Sequence, residues 1–126
     1  MIYALILGSG IGSRMGNTTL PKQFLKIGNK PIIIHTIEQF ILSTRVNKII
    51  VVVSSDYENY LKDLFKEYKL NNIDIVIGGS DRSSSMINGC NYILNNYEVN
   101  DNDIIITHDA VRPFVTSRII NDNIDK

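Results

Sequence analysis

Four short apolar runs, separated by stretches with helical spacing, constrain the fold of this chain most strongly. The runs lie at residues 2–7, 49–53, 73–77 and 104–107. The continuous run at residues 2–7 is typical of a strand that is buried on both faces, and residues 49–53 are predicted as a second buried strand. Between them, apolar residues recur at helical spacing in three sets: Ile33, Ile37, Phe40 and Ile41; Leu61, Leu64, Phe65 and Tyr68; Met86, Cys90, Ile93, Leu94 and Tyr97. This alternation predicts an α/β fold with a mostly parallel sheet and helices on both faces.

The helix boundaries follow from local signals. Pro31 is favoured in a first helical turn, so the first helix is predicted from about Pro31 to Ser43. Ser55 or Asp56 is predicted to cap the second helix. Residues 117–126 resemble a helix that begins and is cut off, so we expect the chain to be the N-terminal part of a longer domain.

Size and composition exclude several classes of protein. A chain of 126 residues, 44% hydrophobic and 21% charged, fits one globular domain. Its apolar runs are far shorter than the ~20 residues of a membrane span, and residues 1–7 lack the features of a signal peptide. With the single cysteine Cys90, this favours a cytoplasmic protein. Two distant histidines and one cysteine leave no cluster of zinc ligands. The sequence also has no patch of basic residues interleaved with aromatic ones, which argues against nucleic acid as a partner.

The distribution of charge points to an anionic ligand. The first acidic residue is Glu38, and the residues before it include Arg14, Lys22, Lys26 and Lys30. That segment therefore has a formal charge of +4, although the whole chain is neutral. It also contains the glycine-rich loop Gly8-Ser9-Gly10-Ile11-Gly12-Ser13-Arg14-Met15-Gly16. Glycines allow backbone N–H groups to approach an anion closely, so the ligand is expected to be polyanionic.

Three polar or glycine-rich segments each follow a predicted strand, at residues 8–24, 78–85 and 108–114. Ligands of parallel sheets bind beyond the carboxyl ends of the strands. We therefore expect these segments to converge on one site.

The spacing of the glycines argues against two common nucleotide sites. The pattern G-x-G-x-G-x-x-x-G differs from the dinucleotide fingerprint G-x-G-x-x-G, and no acidic residue lies ~20 positions further on. The P-loop pattern is also absent, because Lys22 lies between Pro21 and Gln23. A purely structural turn is the remaining alternative, but it would not need the associated basic residues.

The loop, together with Leu20-Pro21-Lys22-Gln23-Phe24, resembles the signature of the sugar-phosphate cytidylyltransferases. Two further segments match the family in order: Gly78-Gly79-Ser80-Asp81-Arg82 with Ser85, and His108-Asp109-Ala110-Val111-Arg112-Pro113-Phe114. The resemblance covers all 126 residues but only the N-terminal half of family members. It implies a Rossmann-like (GT-A-like) nucleotidyltransferase sheet, apparently truncated, in which residues 1–126 form the CTP-binding part.

The resemblance also implies a role for each motif. Arg14 and Lys22 would be catalytic, stabilising charge on the α-phosphate and the pyrophosphate, while the loop amides cradle the triphosphate. The CTP-binding residues would be Leu7, Gly8, Ser9, Gly10, Ile11, Gly12, Gly79, Ser80, Asp81, Arg82 and Ser85. The alternative for Ser83, Ser84 and Ser85 is that their hydroxyls cap the following helix.

Asp109 resembles the family's magnesium ligand, and a lone carboxylate suits Mg²⁺ bound mainly by phosphates. Arg112 would face the phosphate of the acceptor, or alternatively pair with a nearby acid. His108 is expected to be structural, because an anionic phosphate nucleophile needs no general base. Full-length family members are expected to be homodimers.

The expected reaction is transfer of CMP from CTP to a polyol phosphate. The segments Asn29-Lys30-Pro31-Ile32-Ile33-Ile34-His35-Thr36 and Ala110-Val111 are more similar to the ribitol 5-phosphate branch, whereas Ser9 also occurs in the 2-C-methyl-D-erythritol 4-phosphate branch. Two alternatives remain open: a uridylyl- or thymidylyltransferase, and a half-domain that binds CTP without turnover.

Overall fold

The computed structural model describes residues 1–8, 22–43, 45–79 and 81–110, with the backbone alone at Lys22. The elements follow one another along the chain as β1 (Ile2–Gly8), a 3₁₀ turn (Lys22–Phe24), β2 (Lys26–Ile27), β3 (Lys30–Pro31), α1 (Ile32–Leu42), β4 (Lys48–Val53), a second 3₁₀ turn (Ser55–Tyr57), α2 (Glu58–Glu67), β5 (Ile73–Ile77), α3 (Arg82–Asn96) and β6 (Ile104–Asp109). The predicted alternation of strands and helices is confirmed.

The main sheet has four strands in the order β5-β4-β1-β6, and all of its strand pairs are parallel. In order of appearance among these four strands, this is 3-2-1-4, which is the order of a Rossmann-like sheet. The predicted fold class is therefore confirmed.

Helices cover both faces of the sheet because successive side chains of a strand point in opposite directions. Ala4 and Ile6 of β1 belong to a core with α1 and α2, whereas Tyr3 and Leu5 belong to a second core with Ile93 of α3. All five of these side chains are fully buried. The continuous apolar run of β1 thus serves two cores.

Gly89 brings α3 close to the sheet. A Cβ atom at this position would lie 2.5 Å from Cδ1 of Leu5 and 3.1 Å from Cγ2 of Val52. Both distances are shorter than a normal contact between carbon atoms, so a larger residue at this position would force the Leu5 and Val52 side chains to move.

Several local predictions were wrong. Ile41 and Leu94 belong to the apolar sets with helical spacing, but they are 47% and 58% exposed. Neither Ser55 nor Asp56 caps α2: the Ser54 hydroxyl accepts a hydrogen bond from the Asp56 N–H at the start of a 3₁₀ turn, and α2 begins only at Glu58.

A small antiparallel hairpin, β2–β3, was not predicted. Its turn contains Gly28 with φ +67°, a conformation that favours glycine. The hairpin is held by Tyr68, whose hydroxyl donates to the Asn29 carbonyl at 3.1 Å, and by His35, whose Nε2 lies 3.0 Å from the Ile27 carbonyl oxygen. It leads directly into α1, where the Ile32 N–H donates to the Leu25 carbonyl at 2.8 Å.

Candidate active site

The carboxyl ends of β1, β4 and β6 lie side by side. Leu7 is in register with Val52 on one side and with Asp109 on the other. At the end of β1, a Cβ atom on Gly8 would lie 3.2 Å from Cδ1 of Ile33 and 3.3 Å from Cβ of Ala110. The glycine therefore allows α1 and the end of β6 to pack closely at the point where the glycine-rich loop begins.

Gln23, which follows the loop in sequence, lies beside Gly8 at the carboxyl end of β1. This side chain is only 4% exposed, and its Nε2 donates to the Gly8 carbonyl oxygen at 2.5 Å. Phe24 is 1% exposed and packs against the rings of Tyr57 and Tyr60, with centroid distances of 5.2 and 5.0 Å. Gln23 and Phe24 thus anchor the residues that follow the loop beside the residue that precedes it.

The segment after β5 is fixed by a helix cap. The Asp81 carboxylate accepts the backbone N–H of Ser84 at 2.7 Å and forms the N-cap of α3. This hydrogen bond lowers the pKa of Asp81 below its usual value. The capping role considered for the hydroxyls of Ser83, Ser84 and Ser85 is therefore filled by Asp81, and Ser85 is fully buried in the first turn of α3.

Gly79 is packed against the same turn. A Cβ atom built on Gly79 would lie 2.3 Å from Cβ of Ser84. Gly78 is also tied to the sheet, because its N–H donates to the Val53 carbonyl at 2.8 Å. The segment that connects β5 to α3 is therefore tied to the carboxyl end of β4, and it has no room for a larger side chain at Gly79.

An ion pair links this segment to the end of β6. Nη1 of Arg82 donates to Oδ1 of Asp109 at 2.6 Å, and the two side chains are 54% and 31% exposed. Asp109 was predicted just beyond the strand, but β6 extends through it because its backbone continues the pairing with β1. Residues predicted to contact the nucleotide and the metal ion are thus in direct contact with each other.

Across residues 2–126, the chain matches the family model for 2-C-methyl-D-erythritol 4-phosphate cytidylyltransferase. The chain belongs to this cytidylyltransferase family. A ribitol-5-phosphate cytidylyltransferase from Lactiplantibacillus plantarum is 50% identical over 125 residues, which cover 98% of this chain and 54% of the relative. This family member therefore spans about half the length of the curated relative that it matches.

Solved structures agree with the family assignment. A 4-diphosphocytidyl-2C-methyl-D-erythritol synthase is 25% identical with a TM-score of 0.81, and the match covers 99% of this chain and 53% of the other. The synthase of the same name from Anaerococcus prevotii is 26% identical with a TM-score of 0.76, over 98% of this chain and 49% of the other. The suspected membership in the cytidylyltransferases is confirmed.

Convergence of the three predicted segments holds for the residues that the structure describes. Gly8, Gly79, Arg82 and Asp109 lie at or next to the carboxyl edge of the sheet. Leu7, Asp81 and Ser85 are also described, whereas the other predicted site residues lie outside the described part of the chain: Ser9, Gly10, Ile11, Gly12, Arg14, Ser80, Arg112 and the side chain of Lys22.

Lys30 was counted among the positive charges of the N-terminal segment that would attract an anion, but its charge is paired within the fold. Its Nζ lies 2.6 Å from Oε1 of Glu38, the first acidic residue of the chain. Glu38 lies on α1 and Lys30 on β3, so this ion pair links the hairpin to the helix. The positive charge counted from the sequence is thus partly compensated within the fold.

Thr36 is a buried polar residue of this family member that the motifs did not indicate. Its hydroxyl is inaccessible to solvent and donates to the Ala110 carbonyl at 3.0 Å, while the Ala110 N–H donates to the Leu7 carbonyl at 2.9 Å. Both bonds fix the residue after Asp109. The ring of His108 packs edge-on against Phe40 with a centroid distance of 5.3 Å.

No helix within the described ranges has the length and apolar character needed to cross a membrane.

Proposed function

We propose that these residues form the CTP-binding part of an enzyme that transfers CMP from CTP to D-ribitol 5-phosphate, giving CDP-ribitol and pyrophosphate. The observation that carries the choice of acceptor is the 50% identity, over 98% of the chain, to a ribitol-5-phosphate cytidylyltransferase. The carboxyl edge of the sheet supports the nucleotide site, since Gly8, Gly79 and Asp109 lie at or next to it.

In this reaction a phosphate oxygen of the acceptor attacks the α-phosphorus of CTP. The bond to the bridging oxygen of the β-phosphate breaks, and pyrophosphate leaves with that electron pair. The chemistry demands in-line positioning and stabilisation of charge, which backbone N–H groups and cations supply. We assign the backbone amides of residues 8–12 to the triphosphate, and Arg14 and Lys22 to the charge that develops on the α-phosphate and the leaving group.

Cytosine recognition is assigned to residues 79–85. Cytosine differs from uracil in its exocyclic amino group, so its selection requires a hydrogen-bond acceptor. Gly79 is assigned a backbone contact to the base, since its packing against Ser84 holds this part of the backbone beside the first turn of α3. We assign Asp81 and Ser85, at the capped first turn of α3, to contacts with the nucleotide, and Arg82 adds a positive charge at the start of that helix.

We also propose that Mg²⁺ binds at Asp109. Magnesium prefers oxygen ligands and is commonly bound by one or two carboxylates together with substrate phosphates. Asp109 fits this requirement, because its partly exposed carboxylate lies at the strand end where the triphosphate would be. Within the described ranges, no group of three or more acidic, histidine or cysteine side chains could hold a metal ion. When bound, the ion would neutralise phosphate charge.

Arg112 is assigned to the phosphate of the acceptor. Since the chain spans about half the length of the relative that it matches, we propose that the other acceptor contacts and a second metal ligand belong to the part of such a protein that is not matched here, and we expect the 126 residues by themselves to bind CTP with little or no turnover. We further propose a cytoplasmic homodimer for the complete enzyme.

The second candidate acceptor is 2-C-methyl-D-erythritol 4-phosphate. The family description and the two synthase structures at 25–26% identity favour it. The higher identity to the ribitol-5-phosphate enzyme makes it the weaker candidate.

The nucleotide assignment is tested by thermal unfolding of the protein with Mg²⁺ and either CTP, UTP, ATP or NAD. A ligand at ~100 times its Kd adds ~2.7 kcal/mol of stability, which is readily measured. We expect CTP to stabilise the protein most. Equal or larger stabilisation by ATP or NAD would contradict the assignment.

A further inference from the structure

The ion pair between Arg82 and Asp109 places a cationic side chain on the carboxylate that we assign to the metal ion. Arg82 is the first residue of α3 and Asp109 the last of β6, and the pair joins them at 2.6 Å. Both side chains are partly exposed, at 54% and 31%. Solutes can therefore reach the pair.

The Arg82 guanidinium group and a divalent cation would compete for the same carboxylate. The guanidinium donates to Oδ1, whereas Mg²⁺ binds carboxylate oxygens at ~2.0–2.1 Å. Both groups are positively charged, so a metal ion on this carboxylate would repel the nearby guanidinium. A partly exposed ion pair contributes little free energy, so a ligand can displace it.

We infer that Arg82 holds the Asp109 carboxylate in the nucleotide-free protein, and that a divalent cation displaces it and releases the guanidinium to the bound nucleotide. This inference rests on the proposed function because it requires a cation at Asp109. It assigns Arg82 two successive partners and makes it a residue that couples metal binding to nucleotide binding. Such coupling is reciprocal: the metal ion should strengthen CTP binding, and CTP should strengthen metal binding.

The test is the affinity of the protein for Mn²⁺ alone, measured by electron paramagnetic resonance of the free ion without nucleotide. Arg82→Gln removes the competing charge, so we expect it to tighten Mn²⁺ binding about two- to fivefold, as suits a partly exposed pair. Arg82→Lys keeps the charge and should remain close to the unmodified protein. Asp109→Asn should weaken Mn²⁺ binding whichever residue occupies position 82.

A matched control is Lys62→Gln. Lys62 pairs with Glu58 on α2 at 3.3 Å, so the substitution removes the same charge from an exposed pair elsewhere. It should leave Mn²⁺ affinity unchanged, and circular dichroism will verify that each variant is folded. Equal tightening in Lys62→Gln and Arg82→Gln would reduce the effect to net charge and overturn the inference.

Three further results separate the inference from the proposed function. If Asp109→Asn weakens Mn²⁺ binding but Arg82→Gln does not tighten it, the metal site stands and the competition is refuted. If no variant binds Mn²⁺ without nucleotide, the cation alone does not displace Arg82 and the inference is refuted, while a metal site completed by substrate phosphates is not. If Asp109→Asn has no effect on Mn²⁺ binding either with or without CTP, the proposed metal site itself is wrong and the inference fails with it.

A second measurement is the affinity for CTP at saturating Mn²⁺. Arg82→Gln should weaken it, because the released guanidinium is missing. Unchanged CTP affinity would refute the second role of Arg82.

Discussion

Replacing Gly79 with alanine should disturb the proposed cytosine site through one steric contact. The added Cβ would lie 2.3 Å from Cβ of Ser84, whereas carbon atoms in contact are normally ~3.5 Å apart. The first turn of α3 must therefore move by about 1 Å, because a Cβ atom cannot rotate away from its backbone. Overpacking of this kind costs about 1–3 kcal/mol. Since Asp81 and Arg82 lie in the moving segment, we expect CTP affinity to fall as well as stability.

Gly28→Ala is the matched control for this prediction. Gly28 has φ +67°, and a Cβ atom added to it would have no neighbour within 4 Å, so alanine is strained there without a clash. That strain costs about 1–2 kcal/mol, similar to the cost at Gly79. Urea unfolding should show comparable destabilisation in both variants, while titration calorimetry with CTP should show weaker binding only in Gly79→Ala. Unchanged CTP affinity in Gly79→Ala, or an equal loss in Gly28→Ala, would refute the reasoning.

Three further substitutions test individual interactions. The hydrogen bond from Ser84 lowers the pKa of Asp81 below its usual value, so the cap is fully effective above the unfolded pKa and is lost as the pH falls through the lower folded pKa. Asp81→Asn caps the helix without titrating, so in urea unfolding it should lose less stability than the unmodified protein as the pH is lowered from about 7 through the acidic range, and an unchanged pH dependence would contradict this. Gln23→Met removes the donor to the Gly8 carbonyl and should cost about 1–3 kcal/mol in the same assay, whereas a loss below about 0.5 kcal/mol would show that the bond is unimportant. Tyr97→Phe removes the hydroxyl that donates to Asp74 and should cost about 1 kcal/mol, and a variant as stable as the unmodified protein would count against this contact.

The sheet could be predicted from the sequence because its strands have a strong local signal. The apolar runs of β1 and β4 are buried on both faces, and the predicted third strand coincides with β5. Exposure of individual helix residues was harder to predict. Ile41 and Leu94 fit a helical stripe by spacing, but the width of the buried face depends on what packs against it.

The polar interactions at the site depend on tertiary structure. Gln23 and Gly8 are 15 residues apart, and Thr36 and Ala110 are 74 apart. No local pattern specifies such a pair, because either side chain could bond to water in another fold. The motifs indicated that Arg82 and Asp109 would be close, but their direct pairing depends on how α3 starts above the sheet.

The most direct test of the central claim is the identity of the acceptor. The longest form of the protein that its gene encodes would be incubated with CTP, Mg²⁺ and either D-ribitol 5-phosphate or 2-C-methyl-D-erythritol 4-phosphate, and both pyrophosphate and the cytidylylated product would be measured. We predict CDP-ribitol and equimolar pyrophosphate with the first acceptor, at a kcat/KM well above that for the second. Turnover of only 2-C-methyl-D-erythritol 4-phosphate, or of ribitol 5-phosphate with UTP rather than CTP, would contradict the proposed function.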